Sequence, residues 1–224
     1  MIVIWGTRNA GKVDHREGQY ALTRFAHVYW LPLFPVSAMW VTRNGYGHTM
    51  KMSGKSVVAA YARTWGVLLG VAGLIGWIGL PAAIAGVSLA ALSWAWKDVS
   101  TASNKRRSDL NQLAFGTRCE PKLLPDGLAG GIKAELDARW AQISDGQSPD
   151  EVARYGTDDV TRAATAYGIL RLTALSLPGD QARDAEAKAA RIAEGVREKG
   201  QLEAGGPYRS QALEGSLTNL PTAR

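Results

Sequence analysis

The 224-residue sequence predicts an α+β membrane protein in three parts: a small N-terminal β-domain, a transmembrane helical hairpin and a C-terminal cytoplasmic α-helical bundle. Three observations predict it. Residues 1–64 hold eight Lys/Arg against two Asp/Glu, in aromatic and β-branched runs broken by Gly and Pro. Residues 65–96 hold no charge at all. Residues 127–224 hold twelve Lys/Arg against fourteen Asp/Glu, and their apolar residues recur at helical spacing. The net charge of +6 therefore belongs to the N-terminal part and to the stretch from Lys97 to Asp126, and a single cysteine excludes a disulfide scaffold.

The chain opens with an apolar strand, MIVIW, which runs into Gly6-x-x-x-x-Gly11-Lys12, a phosphate-loop signature short of its last residue. Val13 stands where a Ser or Thr hydroxyl would hold magnesium, and the following VDHREGQYALTRF has no apolar helical stripe before Tyr20. Gly54-Lys55-Ser56 has the hydroxyl, but Thr49 replaces the upstream glycine. The expectation is no nucleotide site, with Gly6 to Gly11 a glycine-punctuated turn between two short strands. Tyr20 to Trp30 supplies a further strand, and Asn44-Gly45 within WVTRNGYGHTMKM marks a tight hairpin. Between them Pro32 and Pro35 force Trp30-Leu31-Pro32-Leu33-Phe34-Pro35 into extended backbone, whose apolar side chains are expected to cover a small sheet.

Through IVIWG, EGQY, YWLPLFP and SVVAAYAR, from Ile2 to about Arg63, the chain resembles a group of small bacterial membrane proteins that begin with a zinc-ribbon-like domain. That group carries paired cysteines after its G-x-Y segment and after its PLFP hairpin, whereas here no cysteine precedes Cys119. Structural zinc takes about four nitrogen or sulfur ligands. His15, His27 and His48 are the only histidines and have no paired spacing, so they are expected to be surface or satisfied side chains. The resemblance implies a degenerate, metal-free version of the domain over residues 1–53, with no cofactor and no activity to carry over.

Residues 54–97 are expected to form a linker helix and the hairpin. One helix from Trp65 to Trp96 would be about 48 Å long against a hydrocarbon core of about 30 Å, and Pro81 would kink it. Two arms fit better. Trp65, Trp94 and Trp96 then mark one interface, while Trp77 and the Gly79-Leu80-Pro81 turn approach the other. Lys51, Lys55 and Arg63 precede the run, and Lys97 and Lys105-Arg106-Arg107 follow it; a hairpin keeps both basic flanks in the cytoplasm, where anionic phospholipid attracts them. The expected membrane-interface residues are thus Trp65, Trp77, Trp94, Trp96, Lys97, Lys105, Arg106 and Arg107. Each arm has about 15 residues, which leaves full spanning and re-entrant insertion both open. MIVIW is followed by turn residues and charges rather than a signal-peptide core, so the N-terminal domain is expected in the cytoplasm, and with the hairpin the expectation is a multi-pass protein of the bacterial inner membrane with both termini cytoplasmic.

Residues 98–200 should be helical. DVSTASNKRRSDLNQLAFG reads as one helix, and Leu128, Ile132, Leu136, Trp140 and Ile143 form the stripe of a second. Ser148-Pro149-Asp150-Glu151 is a capping box, Thr157-Asp158-Asp159 opens a helix faced by Val160, Ala163, Tyr167, Leu170 and Ala174, and a last helix spans about Gln181 to Lys199. Residues 201–224 read as a flexible tail. Asp158-Asp159 is a helix start rather than a catalytic pair, and Cys119 has no histidine after position 48 to act as its base. The function expected is that of a non-catalytic scaffold or accessory subunit, with a membrane protein or a second copy as partner. The alternative is a membrane-anchored sensor or regulator whose basic N-terminal domain binds anionic lipid or nucleic acid.

Overall fold

A computed structural model describes residues 5–96, 102–198, 211–216 and 218–219. It is α+β, and it divides into two units, residues 1–100 with 218–224, and residues 101–217.

The first unit is built on an antiparallel meander of β1 (Trp5–Arg16), β2 (Gln19–Val28), β3 (Leu31–Val41) and β4 (Tyr46–Met50), with β5 (Thr218–Asn219) added beside β4. Glu17 and Gly18 turn β1 into β2 with φ of 44° and 81°, the pair of positive angles that matches a two-residue hairpin to strand twist. Asn44-Gly45 turns β3 into β4 as expected, Gly45 at φ 79°.

Two features differ from the sequence reading. Gly6 to Lys12 is continuous strand within β1 rather than a turn between two strands. The pairing steps from Ala10↔Thr23 to Val13↔Ala21, so one extra residue bulges there, with Gly11 at φ 71°. Residues 1–4 of the expected MIVIW strand lie outside the described residues. The Trp30-to-Pro35 segment does not lie over the sheet; from Leu31 on it is β3 itself, and register shifts leave Leu33 and Val36 as extra, exposed residues.

One face of the sheet carries Val13, Ala21, Trp40 and His48 in register across four strands, with Thr23 and Phe25 beside them, all buried. Helix α1 (Gly54–Leu74) starts across this face, capped by Ser53, whose side chain accepts from the Ser56 N–H. The Ser56 hydroxyl donates to the Gly11 carbonyl at 2.6 Å and accepts from Thr23 at 2.8 Å. A Cβ on Gly11 would come within 2.1 Å of the Ser56 carbonyl oxygen, so glycine is required both by the backbone angle and by this close approach. The expected linker helix and first hairpin arm are thus one continuous helix. Helix α2 (Leu80–Ala95) returns antiparallel beside α1.

The second unit contains α3 (Ala102–Phe115), a short 3₁₀ turn (Pro121–Leu123), α4 (Asp126–Ile143), α5 (Pro149–Tyr155), α6 (Val160–Ser176) and α7 (Gly179–Glu198), followed by α8 (Gln211–Ser216). α6 is central and packs on α3, α4, α5 and α7; its Ala163, Tyr167, Leu170 and Ala174 are buried, as is the α4 pair Ile132 and Leu136. α8 and β5 fall within the stretch expected to be a flexible tail, and the Glu135 carboxylate accepts the first two α8 amides. The capping box forms as expected, Ser148 and Glu151 each bonding the other's backbone N–H; the Ser148 N–H and hydroxyl both donate to the Glu151 carboxylate and hold it below its usual range. Asp159 caps α6 through the N–H groups of Thr161 at 2.8 Å and Arg162 at 3.2 Å. Replacing it with alanine is expected to lower the unfolding free energy by about 1 kcal/mol, read as a shift of the urea midpoint at unchanged slope.

Candidate functional site

The pairing of α1 with α2 inverts the usual packing of a water-soluble protein. The residues turned inward are small: Gly66, Gly70 and Gly73 on α1, and Ala83, Gly86, Ala90 and Ser93 on α2. A Cβ on Gly86 would come within 2.3 Å of the Gly70 nitrogen, and one on Gly73 within 2.3 Å of the Ala83 nitrogen. The backbones approach so closely that only hydrogens fit between them at these points, the small-residue contact used where helices associate in lipid. Most large apolar residues point away: Leu74, Ile75, Leu80, Ile84 and Leu92 are all exposed. A soluble core helix does the reverse.

Four tryptophans lie along this pair. Trp65 on α1 and Trp94 and Trp96 at the end of α2 are exposed, and Trp77, in the α1–α2 connection, is 81% exposed. The Lys55 ammonium lies 5.8 Å from the centre of the Trp96 ring and pairs with Asp14 at 2.5 Å. An apolar groove of about 350 Å³ opens there between Val58, Ala62, Leu92 and Trp96.

Arg63, known from sequence only as a flank, is a junction. Its guanidinium donates to the Lys12 carbonyl at 3.0 Å and to the Ser93 carbonyl at 2.9 Å, joining α1 to β1 and to the last turn of α2. The charge thus satisfies carbonyls where α2 ends, a favourable place for a cation.

Lys97 lies outside the described residues. Lys105 and Arg107 are exposed and Arg106 half-buried on α3 of the second unit; residues 97–101 before them are also outside. Of the expected interface set, Trp65, Trp77, Trp94 and Trp96 lie on the α1–α2 pair and its connection.

Sequence reading missed a second apolar surface, on the β2–β3 end of the sheet. Trp5 is 78% exposed there, beside exposed Tyr29, Trp30, Leu33 and Phe34. The pairings Trp5↔Val28↔Leu31 and Ala26↔Phe34 set Trp5 and Phe34 on the face away from α1. The signal was present as YWLPLFP, but bulges at Leu33 and Val36 break the alternation that would have shown which side chains emerge.

Several buried polar groups of the second unit are engaged in its own structure. Tyr167 donates to Asn111 at 3.2 Å, Asn111 donates to the Cys119 carbonyl at 3.1 Å, and Arg171 meets Glu120 at 2.7 Å and Glu186 at 3.6 Å. Burial pushes the Tyr167 phenol up to about 12. Cys119 is a free thiol and completely buried. Among the described residues no three His, Cys, Asp or Glu side chains stand together as a metal would require. His48 departs from the expectation of a surface or satisfied histidine: it is fully buried and neither ring nitrogen has a partner.

No family model, no curated protein and no solved structure matches the chain.

Proposed function

We propose that this chain is a membrane-anchored, non-catalytic scaffold or accessory subunit of the bacterial inner membrane, held by the α1–α2 hairpin with both termini in the cytoplasm. The observation that carries the reading is the inverted packing of the hairpin, glycine and alanine inside and leucine, isoleucine, valine and tryptophan outside. Each large apolar side chain left in water forgoes about 1.5–3 kcal/mol, and lipid removes that penalty without a protein partner. Among the described residues α1 is the one helix long and apolar enough to cross a membrane, and α2 is a shorter apolar helix of 16 residues. The scaffold role is supported by the second unit, whose Tyr167, Arg171 and Asp159 are spent on holding its own helices. Its expected partner is a membrane protein or a second copy of the chain.

The full chain is expected to remain in the membrane pellet through high salt and alkaline carbonate and to be released by detergent. Glutamates in place of Leu74, Ile84 and Leu92 change only outward-facing positions, so the helix contact survives while each charge opposes insertion by a few kcal/mol. That variant is expected in the soluble or carbonate-released fraction. Wild-type chain recovered in the soluble fraction overturns the anchoring.

A further inference from the structure

We infer that the hairpin enters a single leaflet as a wedge, with the sheet resting on the membrane surface as its stop, so that the chain is monotopic rather than multi-pass. The inference rests on the hairpin being the anchor and decides what its length left open.

The first observation is where the sheet lets go of α1. The Tyr61 hydroxyl donates to the Leu33 carbonyl at 2.6 Å, the Tyr61 ring meets Phe25 edge to face, and Arg63 bonds the Lys12 carbonyl. The sheet is therefore attached along α1 as far as Arg63. From Thr64 to Leu74, roughly eleven residues remain, about 16 Å of helix at 1.5 Å per residue. The hydrocarbon core is about 30 Å thick, so this length with its connecting turn reaches the middle. Deeper insertion would drag the Arg63 guanidinium and the sheet's polar edge into lipid.

The second observation is the surface that would meet the headgroups. At its β2–β3 end, where the Leu33 carbonyl holds Tyr61, the sheet presents Trp5, Trp30, Leu33 and Phe34, exposed aromatic and apolar side chains suited to the interfacial layer. The two acids of the N-terminal part, Asp14 and Glu17, stand at the other end of β1, next to the β1–β2 turn.

The third is the tip. Ile75, Gly76 and Trp77 bond their N–H groups back to Val71, Gly73 and Ala72, Ala82 and Ala83 bond to the Gly79 carbonyl, and Pro81 has no N–H. Those donors need no water. A tip emerging on the far side would set Leu74, Ile75, Trp77 and Leu80 in water with no charged side chain among them.

The test uses full-length protein in which Cys119 is replaced by alanine and a cysteine is placed at Trp77 or, separately, at Ile84. Both sites are exposed, so the fold has nothing to lose at either. In intact cells the position-77 cysteine should resist a membrane-impermeant thiol reagent. In phosphatidylethanolamine–phosphatidylglycerol liposomes, an environment-sensitive dye at position 77 should be quenched several-fold more by nitroxides deep on the acyl chain than by headgroup nitroxides. At position 84 the strongest quencher should be shallower. Labelling of position 77 from outside intact cells overturns the wedge and establishes a spanning hairpin, leaving the anchor in place. Quenching by aqueous iodide with none by lipid nitroxides removes the anchor, and the wedge falls with it.

Discussion

Gly86→Leu is expected to separate α1 from α2 while leaving the protein on the membrane. A Cβ at position 86 would lie 2.3 Å from the Gly70 nitrogen, 2.6 Å from the Gly66 carbonyl oxygen and 2.9 Å from the Gly70 Cα. All three are backbone atoms of the facing helix, so no side chain can rotate to make room. Ordinary overpacking costs about 1–3 kcal/mol, and a clash with rigid backbone falls at the top of that range or above it. The outward surface is untouched, which separates packing from anchoring. Thermal unfolding in mild detergent, followed by near-ultraviolet circular dichroism of the tryptophans, should show a midpoint lower by on the order of ten degrees. Spin labels at Val67 and Leu89 should move several ångströms apart. Ile84→Ala, on the exposed face, should change neither. If Gly86→Leu leaves both readouts at their wild-type values, the helices do not meet along these glycines.

The elements of the second unit were legible because local signals there agree with the tertiary outcome. The stripe through Ile132 and Leu136, the Ser148 capping box and the Asp159 start each report a helix from a few neighbouring residues. The sheet was legible in part. Asn44-Gly45 marks its own turn, whereas Gly11 reads as a loop glycine until Ser56, 45 residues later, presses on it. Likewise the prolines of YWLPLFP announce extended backbone, but the bulges that decide which side chains emerge exist only in the pairing with β2. The small residues of the hairpin could be read from composition. Its usable length could not, because the point where α1 leaves the sheet is fixed by Tyr61 and Arg63 meeting Leu33 and Lys12. That point converts a helix of 21 residues, enough to span, into one whose free part is about half as long.

His48 illustrates the same limit and leads to a measurable acid sensitivity. Nothing local distinguishes it from a surface histidine, yet the register Val13↔Ala21↔Trp40↔His48 sets it in the apolar layer beneath α1. Burial there, without a charged partner, lowers its pKa from 6.5 to about 4. The folded protein therefore keeps the ring neutral while the unfolded chain binds a proton once the pH falls below about 6.5. Stability is fully present above that pH, is lost progressively down to about pH 4, and is flat with respect to this group below it, a total on the order of 3 kcal/mol. Carboxylates contribute their own acid dependence, so the measurement is a comparison. His48→Leu is close in volume and removes two buried nitrogens that have no partner, so it should be as stable as wild type at pH 7.5, or more so. Between pH 7 and pH 4.5 the wild-type unfolding midpoint in detergent should fall on the order of ten degrees further than that of the variant. Parallel loss in the two proteins would place the imidazole in contact with water or an acid, and the layer beneath α1 would not be dry.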